Sequence, residues 1–207
     1  MRCSGWLLAV VTGILLHASA HDVHATSPTE TLQGNVNQVL ELLRDPGLAK
    51  PEATSVRRAA VRQVVDGALD FPAMAERALG RYWDARTPAE RVEFVGLFSA
   101  LLETVYVGEI ERNADQSITY LKELTTGNAA TVQTKIAGGK TETRVDYRMH
   151  ERNGRWLVYD VAVGGLSIVD NFRSQLQRIL RDSSYPTLIE KLREATGGLA
   201  ATTSDPR

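Results

Sequence analysis

The segment from Arg155 to Leu180 reads RWLVYDVAVGGLSIVDNFRSQLQRIL and carries three structural signals in a row. Its first part, Trp156 to Val163, is rich in β-branched and aromatic residues and predicts a strand. Gly164-Gly165 interrupts this strand, and the apolar residues that follow have helical spacing. Ser167 is placed as the N-cap, with an acidic residue three positions later, as in a capping box. We therefore expect a buried strand, a flexible corner and a core-facing helix in one continuous piece.

The sequence of this segment also resembles that of a known protein family. It contains W-L-V-Y-D-V, then G-L-S-I-V, then N-F-R-S-Q-L, and an upstream stretch, Leu79 to Phe98, reads LGRYWDARTPAERVEFVGLF. In combination these patterns resemble the MlaC family, also called the toluene-tolerance family, over nearly all of the chain after its N-terminal segment. The resemblance implies an NTF2-like or MlaC-like fold in which helices clasp a sheet, with the two acyl chains of a phospholipid between them.

The resemblance further implies a function and partners. Proteins similar to this family are periplasmic carriers that serve an ABC transporter and help to maintain the lipid asymmetry of the outer membrane. Their partners are an outer-membrane lipoprotein with its porin and an inner-membrane ABC transporter that bears an MCE-domain ring. Some relatives are associated with hopanoid biosynthesis, which leaves a hopanoid-type lipid open as the cargo. The short turns at Gly138-Gly139 and Asn153-Gly154 depart from the longer loops of some members, so lipid identity and docking also stay open.

The N-terminus has the pattern of a secretory signal peptide. Arg2 is followed by the apolar run Trp6 to Leu16 and by Ala18-Ser19-Ala20, a small-x-small cleavage pattern. The run is about half of the roughly 20 residues that a membrane helix needs. The expected organisation is therefore a signal peptide at 1–20, a single lipid-binding α+β domain at 21–196 and a flexible tail at 197–207, in a protein exported to the periplasm.

The composition excludes several classes of protein. The 24 basic and 25 acidic residues nearly balance, which gives no indication of a nucleic-acid surface. The single cysteine, Cys3, lies within the expected signal peptide, so the exported protein would have no disulfide. No histidine and cysteine spacing typical of a metal site is found in the sequence, and we expect no cofactor and no metal.

Helical signals occupy the first half of the chain. Ser27-Pro28-Thr29-Glu30 and Thr87-Pro88-Ala89-Glu90 each combine an N-cap, a proline at the first helical position and a glutamate at the third. Two further helices are predicted at about Glu52 to Leu69 and Pro72 to Leu79, the second with Asp70 as its cap. Because the hydrophobic period changes to two near Ser117, the sequence predicts an α+β fold in which N-terminal helices pack over a C-terminal antiparallel sheet of about four strands, followed by C-terminal helices.

Two turn signals predict the pairing of the strands. A type I′ hairpin at Asn153-Gly154 would place Met149 opposite Val158, Tyr147 opposite Asp160 and Val145 opposite Ala162. A two-residue turn at Gly138-Gly139 would place Val132 opposite Val145 and Thr134 opposite Thr143. Both turns assign Val145 and Tyr147 to the same face of the sheet. We therefore predict a meander with strands near 129–137, 140–150 and 155–163, and a further strand near 117–124.

The predicted inner face of the sheet consists mostly of small or β-branched residues. Such a face leaves depth beneath the helices, which suggests a cavity, unless long side chains such as Phe94, Phe98, Leu101, Phe172 and Leu176 fill it as an ordinary core. The family resemblance favours the cavity, with a volume near 1,000 Å³, the upper end of the usual range, for two tails. The residues expected to line it are Phe94, Phe98, Leu101, Val105, Val132, Thr134, Val145, Tyr147, Met149, Val158, Leu166, Ile168 and Phe172.

Two further features have alternative interpretations. Gly164 and Gly165 could act as a hinge that changes the mouth of the cavity, or they could simply form a tight turn. Asp160 is the one carboxylate in an apolar strand and must be hydrogen-bonded or protonated. With Tyr147 beside it, Asp160 could serve an NTF2-like enzyme of the isomerase or dehydratase type. The other interpretation is structural, with Asp160 accepting hydrogen bonds from loop amides or Tyr147, and we expect no catalytic residue.

A basic helical face is formed by Arg57, Arg58 and Arg62. Such a face is usually solvated. The functional alternative is a docking surface for the membrane complexes that exchange lipid with the carrier.

Overall fold

The computed structural model describes residues 26–112, 114–138 and 141–202. The expected signal peptide lies outside these residues, as do Gly139 of one predicted turn and the last five residues of the predicted tail. Within the described residues, no helix is long and apolar enough to span a membrane.

Helices and strands follow one another as the sequence predicts. The helices are α1 (Pro28–Arg44), α2 (Thr54–Ala68), α3 (Phe71–Leu79), α4 (Pro88–Arg112), α5 (Ile168–Asp182) and α6 (Tyr185–Thr202). The strands are β1 (Ser117–Thr126), β2 (Ala129–Gly138), β3 (Thr141–Arg152), β4 (Arg155–Val163) and β5 (Leu166–Ser167). Short 3-10 turns at Pro51–Ala53 and Gly80–Tyr82 precede α2 and follow α3. The α+β fold class is confirmed, with a fifth, two-residue strand beyond the four expected.

The predicted helix starts are confirmed by their hydrogen bonds. The Glu30 amide donates to the Ser27 hydroxyl at 3.1 Å, and the Ser27 amide donates to the Glu30 carboxylate at 2.9 Å. Thr87 and Glu90 form the same reciprocal pair at the start of α4. Each box satisfies backbone amides that have no partner inside the helix, so the sequence alone determines where these helices begin.

The last helix is longer than predicted. The sequence predicts a flexible tail from residue 197, but α6 runs to Thr202 through Gly197 and Gly198. Leu188, Ile189 and Leu192 anchor its first half in the core. Once a helix is held in this way, each added residue needs little further stabilisation, and two glycines do not stop it.

The five strands form one antiparallel meander in the order β1-β2-β3-β4-β5. The predicted hairpin at Asn153-Gly154 is confirmed, with positive φ angles of 52° and 73° at its two turn residues and with Met149 opposite Val158. Beyond that pair a β-bulge shifts the register by one, so Tyr147 lies opposite Val161, and Val145 opposite Val163. The predicted pairings of Tyr147 with Asp160 and of Val145 with Ala162 are wrong, because a turn determines register only up to the first bulge.

The register between β2 and β3 differs from the prediction by two residues. Gly138 pairs with Thr141, so Val132 lies opposite Tyr147, and Thr134 opposite Val145. The predicted pairs of Val132 with Val145 and of Thr134 with Thr143 are wrong. A shift of two leaves every side chain on its predicted face, because side chains alternate with a period of two. β1 carries a second irregularity, between Tyr120 and Lys122.

Gly164 and Gly165 form a tight turn between β4 and β5. Their φ angles are +58° and +85°, and Val163 pairs with Leu166 across the turn. Positive φ at both central residues is the requirement of a type I′ hairpin turn, and glycine adopts such angles most readily. Ser167 then caps α5 by accepting a hydrogen bond from the Asp170 amide at 3.0 Å. The tight-turn interpretation accounts for both glycines, and a hinge at this position stays a prediction.

The described interior divides into two clusters of buried side chains. The helical core joins α3, α4, α5 and α6 and includes Leu79, Phe94, Phe98 and Leu188, none of them measurably exposed. The sheet cluster consists of Leu32 of α1 with Ala130, Val132, Met149 and Val158. Leu69, between α2 and α3, packs against both clusters.

Candidate functional site

The predicted cavity residues fall into three groups. Phe94, Phe98 and Phe172 are buried in the helical core, where Phe98 stacks on Phe94 at 5.8 Å and meets Phe172 edge-on at 5.6 Å, measured between ring centroids. Leu101 and Ile168 pack against this core. On the inner face of the sheet lie Val132, Thr134, Val145, Tyr147, Met149 and Val158. The three phenylalanines therefore pack in the helical core, and their contact with a lipid stays a prediction.

Val105 and Leu166 form the third group, because both are open to solvent. Val105 is 46% exposed and Leu166, next to the Gly164-Gly165 turn, is 78% exposed. Val105 follows Phe98 by seven residues on α4 and lies on the same side of the helix. Leu102 is therefore the last buried residue on the inward side of α4.

The second half of α4 carries exposed apolar side chains among charged ones, and it contains no buried residue after Leu102. Its principal packing partners are α3 and α6, and no strand is among them in the described chain. Besides Val105, Ile110 is 39% exposed, and Tyr106 is partly buried against the helical core. We call residues 103–112 the uncovered α4 segment, because none of their side chains is buried.

Ion pairs connect the uncovered α4 segment to α2. Arg57 and Arg58 contact Glu111 at 3.4 and 3.2 Å, and Arg62 pairs with Glu103. The hydrogen bond from Arg58 holds the pKa of Glu111 below its usual range. α2 packs mainly on α1 and β4, so long side chains rather than closely packed backbones join it to α4. The three arginines of the predicted basic face are thus all engaged in ion pairs with α4.

α1 lies over β1 and β2, and it is attached near its start to β1 and near its end to the connection between α4 and β1. The Thr29 amide and hydroxyl donate to the Glu123 carboxylate at 2.8 and 2.6 Å. At the other end, the Arg44 guanidinium donates to the Ala114 carbonyl oxygen at 2.6 Å. Between these attachments Leu32 and Val36 pack on the sheet cluster.

Tyr120 on β1 is a candidate site residue that the sequence patterns did not identify. Its hydroxyl is buried and has no hydrogen-bond partner among the described residues. Tyr120 lies opposite Thr134, which places it on the inner face, and Tyr147 follows diagonally across β2. Burial raises the pKa of Tyr147 to about 12, and the nearby Tyr120 adds to the shift. The alternation of Ile118 and Tyr120 in β1 was the signal that could have identified this residue.

Asp160 is a buried carboxylate whose hydrogen-bond partners connect parts of the fold. It is 2% exposed and accepts hydrogen bonds from the Arg148 guanidinium at 2.8 Å, the Ser167 hydroxyl at 2.7 Å and the Val169 amide at 3.2 Å. Through these bonds Asp160 joins β4 to β3 and to the start of α5, where the helix dipole also favours a carboxylate. Because Tyr147 pairs with Val161 rather than Asp160, the pair required by the enzyme interpretation is not assembled.

Asp70 is a second buried carboxylate, predicted only as a helix cap. It accepts hydrogen bonds from the Ala73 amide at 2.9 Å, from His150 Nε2 at 2.8 Å and from the Arg152 guanidinium at 2.7 Å. Burial alone would raise the pKa of Asp70, but the hydrogen bonds from Arg152, Ala73 and His150 outweigh it and the pKa is lowered. Asp70 therefore fastens the junction of α2 and α3 to the rim of the sheet.

Two surface clefts lie against α1. One of about 480 Å³ is lined by α1 and its end, and one of about 680 Å³ lies between α1 and α2. The second is lined largely by polar side chains, among them Asn35, Gln38, Gln63 and Arg155. Neither matches an apolar site for acyl chains. In the described residues, no group of three or more histidine, cysteine or acidic side chains could hold a metal ion.

Comparisons with known proteins agree with this architecture. The intermembrane phospholipid transport system binding protein MlaC of Haemophilus influenzae is 23% identical over 195 residues, which cover 91% of this chain and 90% of the relative. A solved structure of the phospholipid-binding protein from Ralstonia solanacearum, in complex with a phospholipid, superposes with a TM-score of 0.70 at 23% identity, covering 82% of this chain and 97% of that chain. The family model described as MlaC protein matches residues 33–194. The match extends over most of the chain, and this protein belongs to the MlaC family.

Proposed function

We propose that this protein is an exported carrier that holds a phospholipid by its two acyl chains and moves it between membranes. The observation that carries the proposal is the position of the uncovered α4 segment. Val105 and Ile110 are apolar and exposed, and on the inner face of the sheet Ile118, Ile136 and Tyr147 are only partly buried. Acyl chains between α4 and the sheet would cover these side chains, which the protein's own core leaves uncovered.

Energetics favour a carrier over a permanent lipid anchor. Each methylene removed from water contributes roughly 0.8 kcal/mol, so two acyl chains sum to more than any noncovalent complex attains. The lipid leaves a bilayer, however, which buries the same methylenes. Transfer between bilayer and protein is then close to neutral, and binding is reversible.

The names of two relatives support a phospholipid as the proposed cargo. The Haemophilus relative is a phospholipid transport binding protein, and the Ralstonia protein was solved with a phospholipid. The proposed location is the periplasm, after cleavage near Ala20. The proposed partners are the outer-membrane lipoprotein and porin and the inner-membrane MCE-domain ABC transporter. A hopanoid-type lipid is the alternative cargo.

The test is the lipid content of protein purified without detergent. Mass spectrometry of the extract should find about one two-chain phospholipid per protein molecule. Val105→Glu should lose the lipid while keeping its fold, because a carboxylate in an acyl-chain site is strongly unfavourable. Val92→Glu, also on α4 and 74% exposed, is the matched control and should keep it. An empty wild-type protein, or equal lipid content in both variants, would contradict the proposal.

A further inference from the structure

The unpaired hydroxyl of Tyr120 is the feature that the proposed function does not yet use. Nearly all buried polar groups in native proteins have a hydrogen-bond partner. A buried donor without a partner loses its hydrogen bonds to water and gains no protein hydrogen bond to replace them, which is unfavourable. In the described chain this hydroxyl has none. A phenol in this position needs an acceptor from outside the chain.

The location of Tyr120 connects it to the acyl-chain site. Residues 113–116 alone separate the end of α4 from the start of β1, so the first half of β1 follows the uncovered α4 segment directly along the chain. Ile118, two residues earlier on the same face, lies opposite Ile136, and both are partly buried. Tyr147 stands diagonally across β2 and packs against the same sheet cluster as Tyr120.

The surroundings of Tyr120 select a neutral acceptor. Burial raises the pKa of Tyr120, and no charged side chain contributes to that shift. The phenol therefore stays protonated and acts as a donor at physiological pH. A phosphate buried here would need a cation or several donors to replace its hydration. An ester carbonyl is neutral and directly joined to the acyl chain.

We infer that the Tyr120 hydroxyl donates a hydrogen bond to an ester carbonyl oxygen of the bound lipid, which makes the site selective for ester-linked over ether-linked chains. This inference rests on the proposed function and deepens it. Ether-linked lipids have the same head group and tails but lack the carbonyl, so their binding leaves the hydroxyl unpaired.

The first test is a competition between two lipids. Lipid-free protein is incubated with vesicles that contain equal amounts of diacyl and dialkyl phosphatidylethanolamine with matched chain lengths, and the bound lipids are quantified by mass spectrometry. Wild type should be enriched about fivefold in the diacyl lipid, the typical effect of one hydrogen bond. Tyr120→Phe should remove the enrichment. Tyr159→Phe is the control and should keep it, because the Tyr159 ring contacts Arg77 and His150 and lies outside the sheet cluster.

The second test measures thermal stability and does not depend on competition. Without lipid, Tyr120→Phe should unfold at a temperature equal to or about 2 °C above that of wild type, because the variant removes a buried donor with no partner. With diacyl lipid bound, it should unfold below wild type. For Tyr159→Phe, the difference in unfolding temperature from wild type should not change sign when the diacyl lipid binds.

The outcomes separate this inference from the proposed function. Equal uptake of both lipids by wild type, or an enrichment that survives Tyr120→Phe, overturns the ester contact and leaves the carrier intact. Equal weakening of both lipids by Tyr120→Phe also overturns it and indicates a contact with the head group. Uptake of neither lipid overturns the inference and the proposed function together.

Discussion

The two halves of α4 differ in how well the rest of the protein covers their apolar side chains. Its first half carries Phe94 and Phe98, which are fully buried and stack on each other in the helical core. Its second half carries Val105 and Ile110, which are equally apolar and remain exposed. The apolar character of a helix segment therefore does not tell whether the rest of the chain will cover it. That depends on the elements opposite, α3 and α6 in one case and side chains that bridge to α2 in the other.

The largest expected contrast is in stability. Phe98→Ala should lower the free energy of unfolding by about 3–5 kcal/mol, because it leaves a cavity in a closed core. Val105→Ala should cost less than about 1 kcal/mol, because the side chain is already nearly half exposed. Urea unfolding of the lipid-free protein measures both. Similar losses in the two variants would mean that α4 is one continuous core helix.

Asp70 tests the fastening between the helices and the sheet. Asp70→Asn should cost about 2 kcal/mol at pH 7, the usual contribution of hydrogen bonds to a charged group. The folded pKa of this carboxyl is lowered, so its contribution is present above the unfolded value near 4 and is lost as the pH falls through the folded value. The difference between wild type and variant in urea unfolding should therefore shrink as the pH is lowered below about 4. A difference that does not change with pH would contradict this account.

Gly165 tests the turn before α5. Its φ is +85° and no atom lies within 4 Å of an added Cβ, so Gly165→Val is strained by its backbone alone, at about 1–2 kcal/mol. If the turn is also a hinge, lipid uptake should fall by more than this loss explains. Gly34→Ala in α1, where nothing lies within 4 Å of an added Cβ either, is the control and should be neutral or stabilising. Melting and lipid-extraction assays on the same samples provide the comparison, and parallel losses would leave only the tight turn.

The ion pairs between α2 and α4 should have the smallest effect on stability. Glu111→Gln removes both arginine contacts and should cost less than about 1 kcal/mol, because the pairs are partly solvated. It should nevertheless speed lipid exchange with vesicles, as should added salt in wild type. Glu109→Gln removes a charge from the same helix whose partner, Arg112, is also on α4, and should leave exchange unchanged. If the rate of lipid exchange changes neither with added salt nor in Glu111→Gln, the ion pairs between α2 and α4 do not restrain the lipid.

Features that depend on neighbouring residues, such as helix caps and tight turns, could be predicted from the sequence. Features that depend on residues far apart in the chain could not. Ser27, Thr87 and Ser167 cap their helices as expected, because a cap requires only residues within one turn. The Asn153-Gly154 turn fixed the pairing as far as Met149, and the bulge beyond it has no signal in the sequence that we could recognise. The environment of Asp160 also could not be predicted, because its donors come from β3 and from the start of α5.

Which apolar side chains of α4 are buried could not be predicted from the sequence either. Phe98 and Val105 have the same pattern along α4, and only the elements packed opposite decide which of them is covered. Tyr120 was overlooked for a related reason. An aromatic residue in an alternating strand is ordinarily part of a core, and its unpaired hydroxyl becomes visible only when the neighbouring side chains are in place.

The irregular first strand and the very short fifth strand have a consequence for the protein in a crowded compartment. A sheet with a long, flat border can recruit a strand from another molecule and grow into an aggregate. Here β5 has only two residues, and β1 is interrupted after Tyr120 and carries the charged pair Lys122 and Glu123 directly beyond that point. Neither border offers a regular template, so this chain is well suited to high concentration without polymerising.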